Sequence, residues 1–264
     1  MSALTFRIRL KTPVLATQTE SVEPNSATAF DYIPGSMIRG ALIARMGGNV
    51  ADLPVDPEMR RLFFSGDVHF LNAYPFDADS FSNRLLPVPL SWRERDGQIY
   101  DFAIAIPDAP PSQSKLKRIA TERFSFVDLK DEQVRGYAVR RQITVHNASD
   151  DRNRKQAQLS TVYRYDAIAE GELFSGVILG EASLLNKIKL FLSHEVLLGG
   201  SRTGGYGLAE FENVSIEESW TEYQSAKPEK PDQIVITLLS DVIAQGASGQ
   251  YLDTLDEVLG ARTP

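Results

Sequence analysis

Five glycines fall within eleven residues at Leu197–Gly207, LLGGSRTGGYG, with Arg202 and Tyr206 set among them. Glycine has no Cβ, so such a run turns with positive φ and lets a ligand reach the main-chain N–H groups closely. That donor set favours an anionic partner. Arg202 adds charge and Tyr206 a flat face. The simpler use of the same composition is a tight connection between a helix and a strand. Other reactive side chains are scarce. The chain has no cysteine, which excludes disulfides, thiolate zinc sites and a cysteine nucleophile. Its three histidines, His69, His146 and His194, are scattered, which speaks against a histidine-rich metal centre. His69 reads as a strand residue rather than a catalyst.

Charge sharpens the anion reading. The net charge is −7, which by itself argues against a protein coated in nucleic acid. Between Ser112 and Arg164, however, twelve Lys/Arg stand against six Asp/Glu, a local excess of +6 that leaves −13 on the rest. A basic middle on an acidic body suits a local anion track. Within it, Arg152, Arg154 and Lys155 lie in the polar loop that follows the strand-like Arg140–His146. A solvated charged loop is the plainer reading of those three.

The elements that would position these residues follow from periodicity. Leu4–Leu10 alternates with Phe6, Ile8 and Leu10 on one face, the pattern of a half-buried strand. A polar, turn-rich loop runs from Ala16 to Thr28. Pro34, Gly35 and Ser36 then signal a helix start, with Ser36 expected as N-cap and Arg39 and Arg45 one to two turns on. Its N-terminal N–H groups would form a second anion site beside those arginines. A short helix is expected in Pro54–Phe64, a strand in Gly66–Asn72, an edge or loop at Leu86–Trp92, and strands in Gln98–Ile106 and Phe124–Val127. Glu181–Ser193 predicts a helix whose apolar face is Leu184, Leu185, Ile188, Leu190 and Leu192. The glycine loop follows it, and Tyr206–Ile216 alternates as the next strand. The order predicts an α+β fold of ferredoxin-like, RRM-like type with insertions over residues 1–226. Lys227–Asp232, opening KPEKP, reads as a linker, and 233–264 as the beginning of a second similar module that is expected to be truncated. No apolar run approaches the roughly 18 residues of a membrane span, so no membrane association and a cytoplasmic location are expected.

Three segments, in this order, resemble the RAMP superfamily of CRISPR-associated proteins, and in particular its type III-D effector subunits: YIPGSMIRGAL at Tyr32–Leu42, HNASDDRNRKQA with YRYDAIAEGELFSGVI across His146–Ile178, and GGSRTGGYG at Gly199–Gly207. The resemblance implies an RRM-like fold that binds CRISPR RNA, with target RNA and other effector subunits as further partners, in antiviral defence. It places Gly199, Gly200, Ser201, Arg202, Thr203, Gly204, Gly205 and Tyr206 against the RNA backbone, with Ser36, Arg39, Arg45 and His146 beside it and Arg152, Arg154 and Lys155 as mobile phosphate contacts. Tyr206 or Tyr163 would stack on an unpaired base, worth about 1–3 kcal/mol. No cofactor is implied.

Two catalytic alternatives arise within the family. Target-cleaving subunits carry an aspartate before the IPGS helix and use a divalent metal; here the candidate is Asp31, whose simpler role is to position the turn. A metal-free nuclease would use a histidine as general acid or base, but the spacing around His146 shows no tyrosine or lysine partner. Binding is therefore the favoured expectation over catalysis. A nucleotide-binding enzyme, an alternative of another class, is disfavoured because the loop lacks the G-x-x-x-x-G-K-[ST] and G-x-G-x-x-G spacings.

Overall fold

The computed structural model describes residues 2–18, 26–46, 55–76, 84–95, 97–101, 117–119, 124–128, 134–148, 161–222, 239, 244–245 and 250–252. The chain divides into two compact units, residues 1–88 with 119–224, and residues 89–118 with 225–264.

The first unit is organised around β1 (Ser2–Leu10), as its period-two pattern requires: Leu4, Phe6, Ile8 and Leu10 are buried while Thr5, Arg7 and Arg9 face the other way. β1 is flanked by β13 (Leu173–Gly180) on one side and β15 (Leu208–Glu217) on the other, both antiparallel. β3 (His69–Phe70) and β4 (Tyr74–Pro75) pair with the far side of β13, and β14 (Glu195–Leu197) with the far side of β15. The expected strand at Gly66–Asn72 is thus only two residues long. Helix α1 (Gly35–Met46) follows β1, and α3 (Ala182–Lys189) joins β13 to β14; α2 (Pro57–Phe63) is capped by Asp56, whose carboxylate accepts from Glu58 N and Met59 N at 2.8 and 2.9 Å. The last strand beside the first, the first beside the third and the third beside the second is the ferredoxin-like, RRM-like arrangement read from the sequence.

One face of this sheet carries the core. Ile38 and Leu42 of α1 and Leu184, Leu185 and Ile188 of α3 are buried, and Phe6 meets Phe211 edge-to-face at 5.5 Å. Each such side chain contributes about 1.5–3 kcal/mol by leaving water. Leu190 does not belong to this face: it is 75% exposed, because at 3.6 residues per turn it stands about 200° round from Ile188 and so points away from the buried stripe. The glycine loop does not join a helix to a strand either. β14 intervenes, so the loop closes an antiparallel hairpin in which Leu197 stands opposite Leu208.

Two smaller sheets complete this unit. β11 (Arg141–Ala148) and β12 (Thr161–Ile168) form a long hairpin, with β2 (Ser26–Thr28) parallel to β12. β5 (Leu86–Pro87), β9 (Phe126–Asp128) and β10 (Arg135–Tyr137) form the other, β5 lying at its edge as Pro87 demands. Glu172, 2% exposed, accepts from Tyr137 Oη at 2.7 Å and Arg140 Nε at 2.6 Å, which satisfies its buried carboxylate. In the second unit β6 (Trp92–Arg95) pairs with β7 (Gln98–Asp101) and β8 (Lys117–Arg118), and β16 (Ala244–Gln245) with β17 (Tyr251–Leu252). The expected linker at 227–232 lies outside the described residues, as does all of the expected second module at 233–264 except 239, 244–245 and 250–252.

Candidate nucleic-acid interface

The glycine loop is fixed by the segment that follows β1. Gly207 N donates to Pro13 O at 2.9 Å and Gly200 N to Leu15 O at 3.2 Å, while Leu208 N donates to Thr12 Oγ1 at 2.9 Å. Leu198 is fully buried beneath it. Within the loop Arg202–Gly204 makes one 3-10 turn, closed by Gly204 N to Ser201 O at 2.9 Å and Gly205 N to Arg202 O at 3.2 Å. Four of the glycine N–H groups are therefore spent internally, and the outward surface is the turn itself, with Arg202, Thr203, Gly204 and Gly205 exposed. The Arg202 guanidinium reaches back to Gly199 O at 3.3 Å.

Gly199 shows why this position needs glycine. Its φ is +73°, and a Cβ there would stand 2.6 Å from Leu15 O and 3.6 Å from Met37 Cε. The same geometry brings the loop onto the first turn of α1, joining two motifs separated by more than 160 residues of chain. That turn differs from the sequence reading in one respect. The helix begins at Gly35, so Ser36 is an exposed residue of its first turn and not its N-cap. Gly35 takes the earlier place because its N–H is held by Asn72 Oδ1 at 3.0 Å and its Cα lies against the β3 backbone. Arg39 is exposed on the following turn. Arg45 is committed elsewhere: its guanidinium donates to Phe191 O at 2.7 Å and also to Ser193 O and Glu195 O, tying the end of α1 to the approach to β14. Burial pulls the Arg45 pKa down from the ordinary arginine value.

The third motif meets the loop through Tyr206. On β11, Thr144 and His146 share one face, opposite Tyr165 and Tyr163 of β12. His146 stacks on Tyr163, 5.5 Å between centroids and 18° between planes, and lies 4.8 Å from Tyr165. Tyr206 meets Tyr165 edge-on at 5.6 Å, and its hydroxyl lies 3.2 Å from His146 Nε2 and against Thr144 Oγ1. Tyr206 is only 5% exposed. Its ring locks the loop to the β11–β12 hairpin, and the flat face expected to receive a base is covered by protein. Tyr163 is half-buried with one face on His146. The tyrosine partner for His146 that spacing did not show is thus supplied by the fold. Tyr165 and Thr144 carried no separate signal in the sequence beyond the alternation TVYRY and ITVH.

Asp31 is held by Arg141 Nη1 at 2.9 Å and accepts from Ser125 Oγ at 3.0 Å. The same guanidinium also takes Asp166 Oδ1, Asp166 O, Ala29 O and Phe30 O, at 2.9–3.1 Å. Asp31 therefore positions the chain before α1. Among the described residues no group of three or more His, Asp or Glu side chains gathers as a metal would require. Arg140 and Arg141, part of the basic window, are spent on carboxylates, which raises the Arg140 pKa through its hydrogen bond with Glu172. Arg152, Arg154 and Lys155 lie outside the described residues. No described helix is long and apolar enough to cross a membrane.

An RRM-like α+β domain that draws a glycine loop, an IPGS helix start and an aromatic hairpin into one place defines a class. The chain belongs to the RAMP superfamily, whose family model matches residues 7–210. No curated protein matches it in sequence. Among solved structures it is similar to a chain of the type III-B Cmr-beta complex bound to cognate target RNA, with 15% identity over 80% of this chain and 96% of that one, at a TM-score of 0.44. A chain of a type IV-B CRISPR complex is 12% identical over 86% and 95%, at 0.43, and Cmr4 is 13% identical over 83% and 99%, at 0.36.

Proposed function

We propose that this chain is a CRISPR RNA-binding structural subunit of a type III effector complex of III-D-like kind, acting in the cytoplasm in antiviral defence. The observation that carries the proposal is the seating of Gly199 against Leu15 and Met37, which brings the exposed Arg202–Gly205 turn and the first turn of α1 into one place. Arg202, Thr203, Ser36 and Arg39 are the exposed groups available there for phosphates, which position an RNA without reading its bases. Target RNA and neighbouring effector subunits are the further partners, and the net −13 outside the basic window suits basic neighbours. Metal-dependent cleavage at Asp31 is the weaker reading, since that carboxylate is held by Arg141 and Ser125.

The test is RNA affinity of the assembled particle as a function of salt. A phosphate-contacting surface gives a steep log–log slope, and Arg202→Ala reduces that slope by about one while weakening binding across sequences. An unchanged affinity and slope for Arg202→Ala would refute the reading. Cleavage of labelled RNA that requires Mg²⁺ or Mn²⁺ and disappears in Asp31→Ala would replace it with the nuclease alternative; metal-free cleavage lost in His146→Ala would do so through the His146–Tyr206 pair.

A further inference from the structure

The sheet face opposite the helices is not a flat surface. After β15 the chain turns back along it, and Ser219–Glu222 line, together with residues of β1, β13 and β15, an open groove of about 480 Å³. This segment is anchored by Arg84, whose side chain is only 6% exposed: its guanidinium forms a two-pronged pair with Glu222, Nε to Oε1 at 2.6 Å, and lies 5.8 Å from the Trp220 ring. That pair neutralises itself. The groove keeps two separate charged groups. Arg7 lies with its guanidinium carbon 4.1 Å from the Phe76 ring centroid; it stands opposite Glu212 of β15 and is attracted by that carboxylate, which is itself bonded to Arg9, but among the described residues it forms no salt bridge of its own. Stacking on an aromatic face leaves the guanidinium N–H edge free for an anion. Glu217, at the other end of the β15 contribution, accepts among the described residues only from Thr5 Oγ1 at 3.0 Å, with the Thr5–Ser215 hydroxyl pair at 2.9 Å forming the floor between.

We infer that this groove binds a nucleotide, its phosphate on Arg7, its base along Trp220 and an amino or imino N–H of the base on Glu217. Four features select this ligand. The volume lies in the range of small-ligand sites. The cation and the carboxylate are distinct and call for a ligand that carries both an anion and N–H donors. Hydroxyl donors line the floor between them. An indole supplies a stacking face, which tolerates any base. The groove is built from β1, β13 and β15 on the face away from the core, and no residue of the glycine loop lines it. The nucleotide comes either as a free mononucleotide or as one unit of an RNA strand.

Trp220 supplies the readout, because the chain has only two tryptophans and Trp92→Phe leaves it as the sole indole. In that background the full chain is titrated with AMP, CMP and GMP and with single-stranded tetranucleotides of the same bases. Saturable quenching is expected, weakened about tenfold by Arg7→Gln and several-fold by Glu217→Gln, both half-exposed or exposed positions, and unchanged by Arg202→Ala. Quenching by mononucleotides as strong as by tetranucleotides identifies a free nucleotide, and quenching by tetranucleotides alone a unit of RNA; either supports the inference. It is overturned if neither quenches, if both Arg7→Gln and Glu217→Gln bind as tightly as the parent, if Arg202→Ala abolishes the signal, or if glutamate and short acidic peptides quench where nucleotides do not.

Discussion

Two glycines of α1, five residues apart, are expected to respond to alanine with opposite signs. Gly40 lies on the exposed face, and a Cβ there meets nothing within 4 Å. Alanine at a helix interior is better than glycine by about 0.8–1.0 kcal/mol, so Gly40→Ala should stabilise the first unit by nearly that amount and raise its melting temperature by about 2–4 °C. Gly35 faces the β3 backbone. A Cβ there falls inside the contact shell of the Phe70 carbonyl oxygen, 2.7 Å from Phe70 C and 2.9 Å from Leu71 O. All three are main-chain atoms and cannot swing aside. The helix start must retreat, and the Gly35 N–H to Asn72 bond at 3.0 Å lengthens with it. Overpacking costs about 1–3 kcal/mol and the strained hydrogen bond about 1 kcal/mol more, so Gly35→Ala should destabilise by about 3 kcal/mol. Urea unfolding followed by far-UV circular dichroism measures both, as a midpoint moved up for Gly40→Ala and down for Gly35→Ala at constant slope. If Gly35→Ala unfolds at the parent midpoint, the close seating of α1 on β3 is wrong, and with it the account of why the helix begins at Gly35 and not after Ser36.

Glu222→Ala leaves the almost buried Arg84 cation without its partner and should cost about 3–5 kcal/mol, whereas Arg84→Met with Glu222→Gln should come close to the parent in the same unfolding assay. Arg141→Ala removes the hub that joins Asp31, Asp166 and the 29–30 carbonyls; because the pair is part-exposed the expected loss is about 2 kcal/mol, read by denaturation. Hydrogen bonding from Arg9 holds the Glu212 carboxyl below its usual range, so its contribution is present above the unfolded carboxyl pKa and is lost as pH falls through the lower folded value. With Arg9 41% exposed in its side chain that contribution is under about 1 kcal/mol, and Glu212→Gln should flatten the acid limb of the stability profile by no more than that. Tyr206→Phe removes the hydroxyl shared by Thr144 and His146 and should cost about 1 kcal/mol, seen as faster amide exchange in the glycine loop.

β1, α1, α3 and β15 were legible because each buries one face and repeats at its own period over at least seven residues. The Thr5/Arg7/Arg9 alternation already named the sheet face that carries the groove, but nothing in the sequence says that Trp220 and Glu222 return along it, since that fold-back rests on a contact with Arg84 far away in the chain. The helix start was misplaced by two residues, since a Ser36 N-cap would make Met37 the first helical residue: Ser36 is the better capping residue in isolation, whereas Gly35 is chosen by the close approach of β3, a tertiary demand. β14 was missed because three residues, Glu195–Leu197, are too short for a period. That omission turned a hairpin into a helix-to-strand loop. The interface was legible as three motifs but not as their meeting: Tyr206 looked like a ligand-facing ring because loops are usually exposed, and only its pairing with Thr144 and His146 across the β11–β12 sheet shows it turned inward. Arg45 and Arg141 carried charge that composition counts as available and the fold spends on carbonyls and carboxylates.

The bonds from Gly200 and Gly207 to the carbonyls of Leu15 and Pro13 settle how the loop would meet a partner. A stretch with five glycines in eleven residues is, on its own, among the most conformationally free segments a chain can have, and freezing it on contact would cost about 1 kcal/mol or more per residue. Here that ordering is completed during folding, with the Arg202–Gly205 turn already presented in one shape. Association with an extended anion therefore needs little rearrangement of the protein, and its rate should follow ionic strength far more closely than temperature.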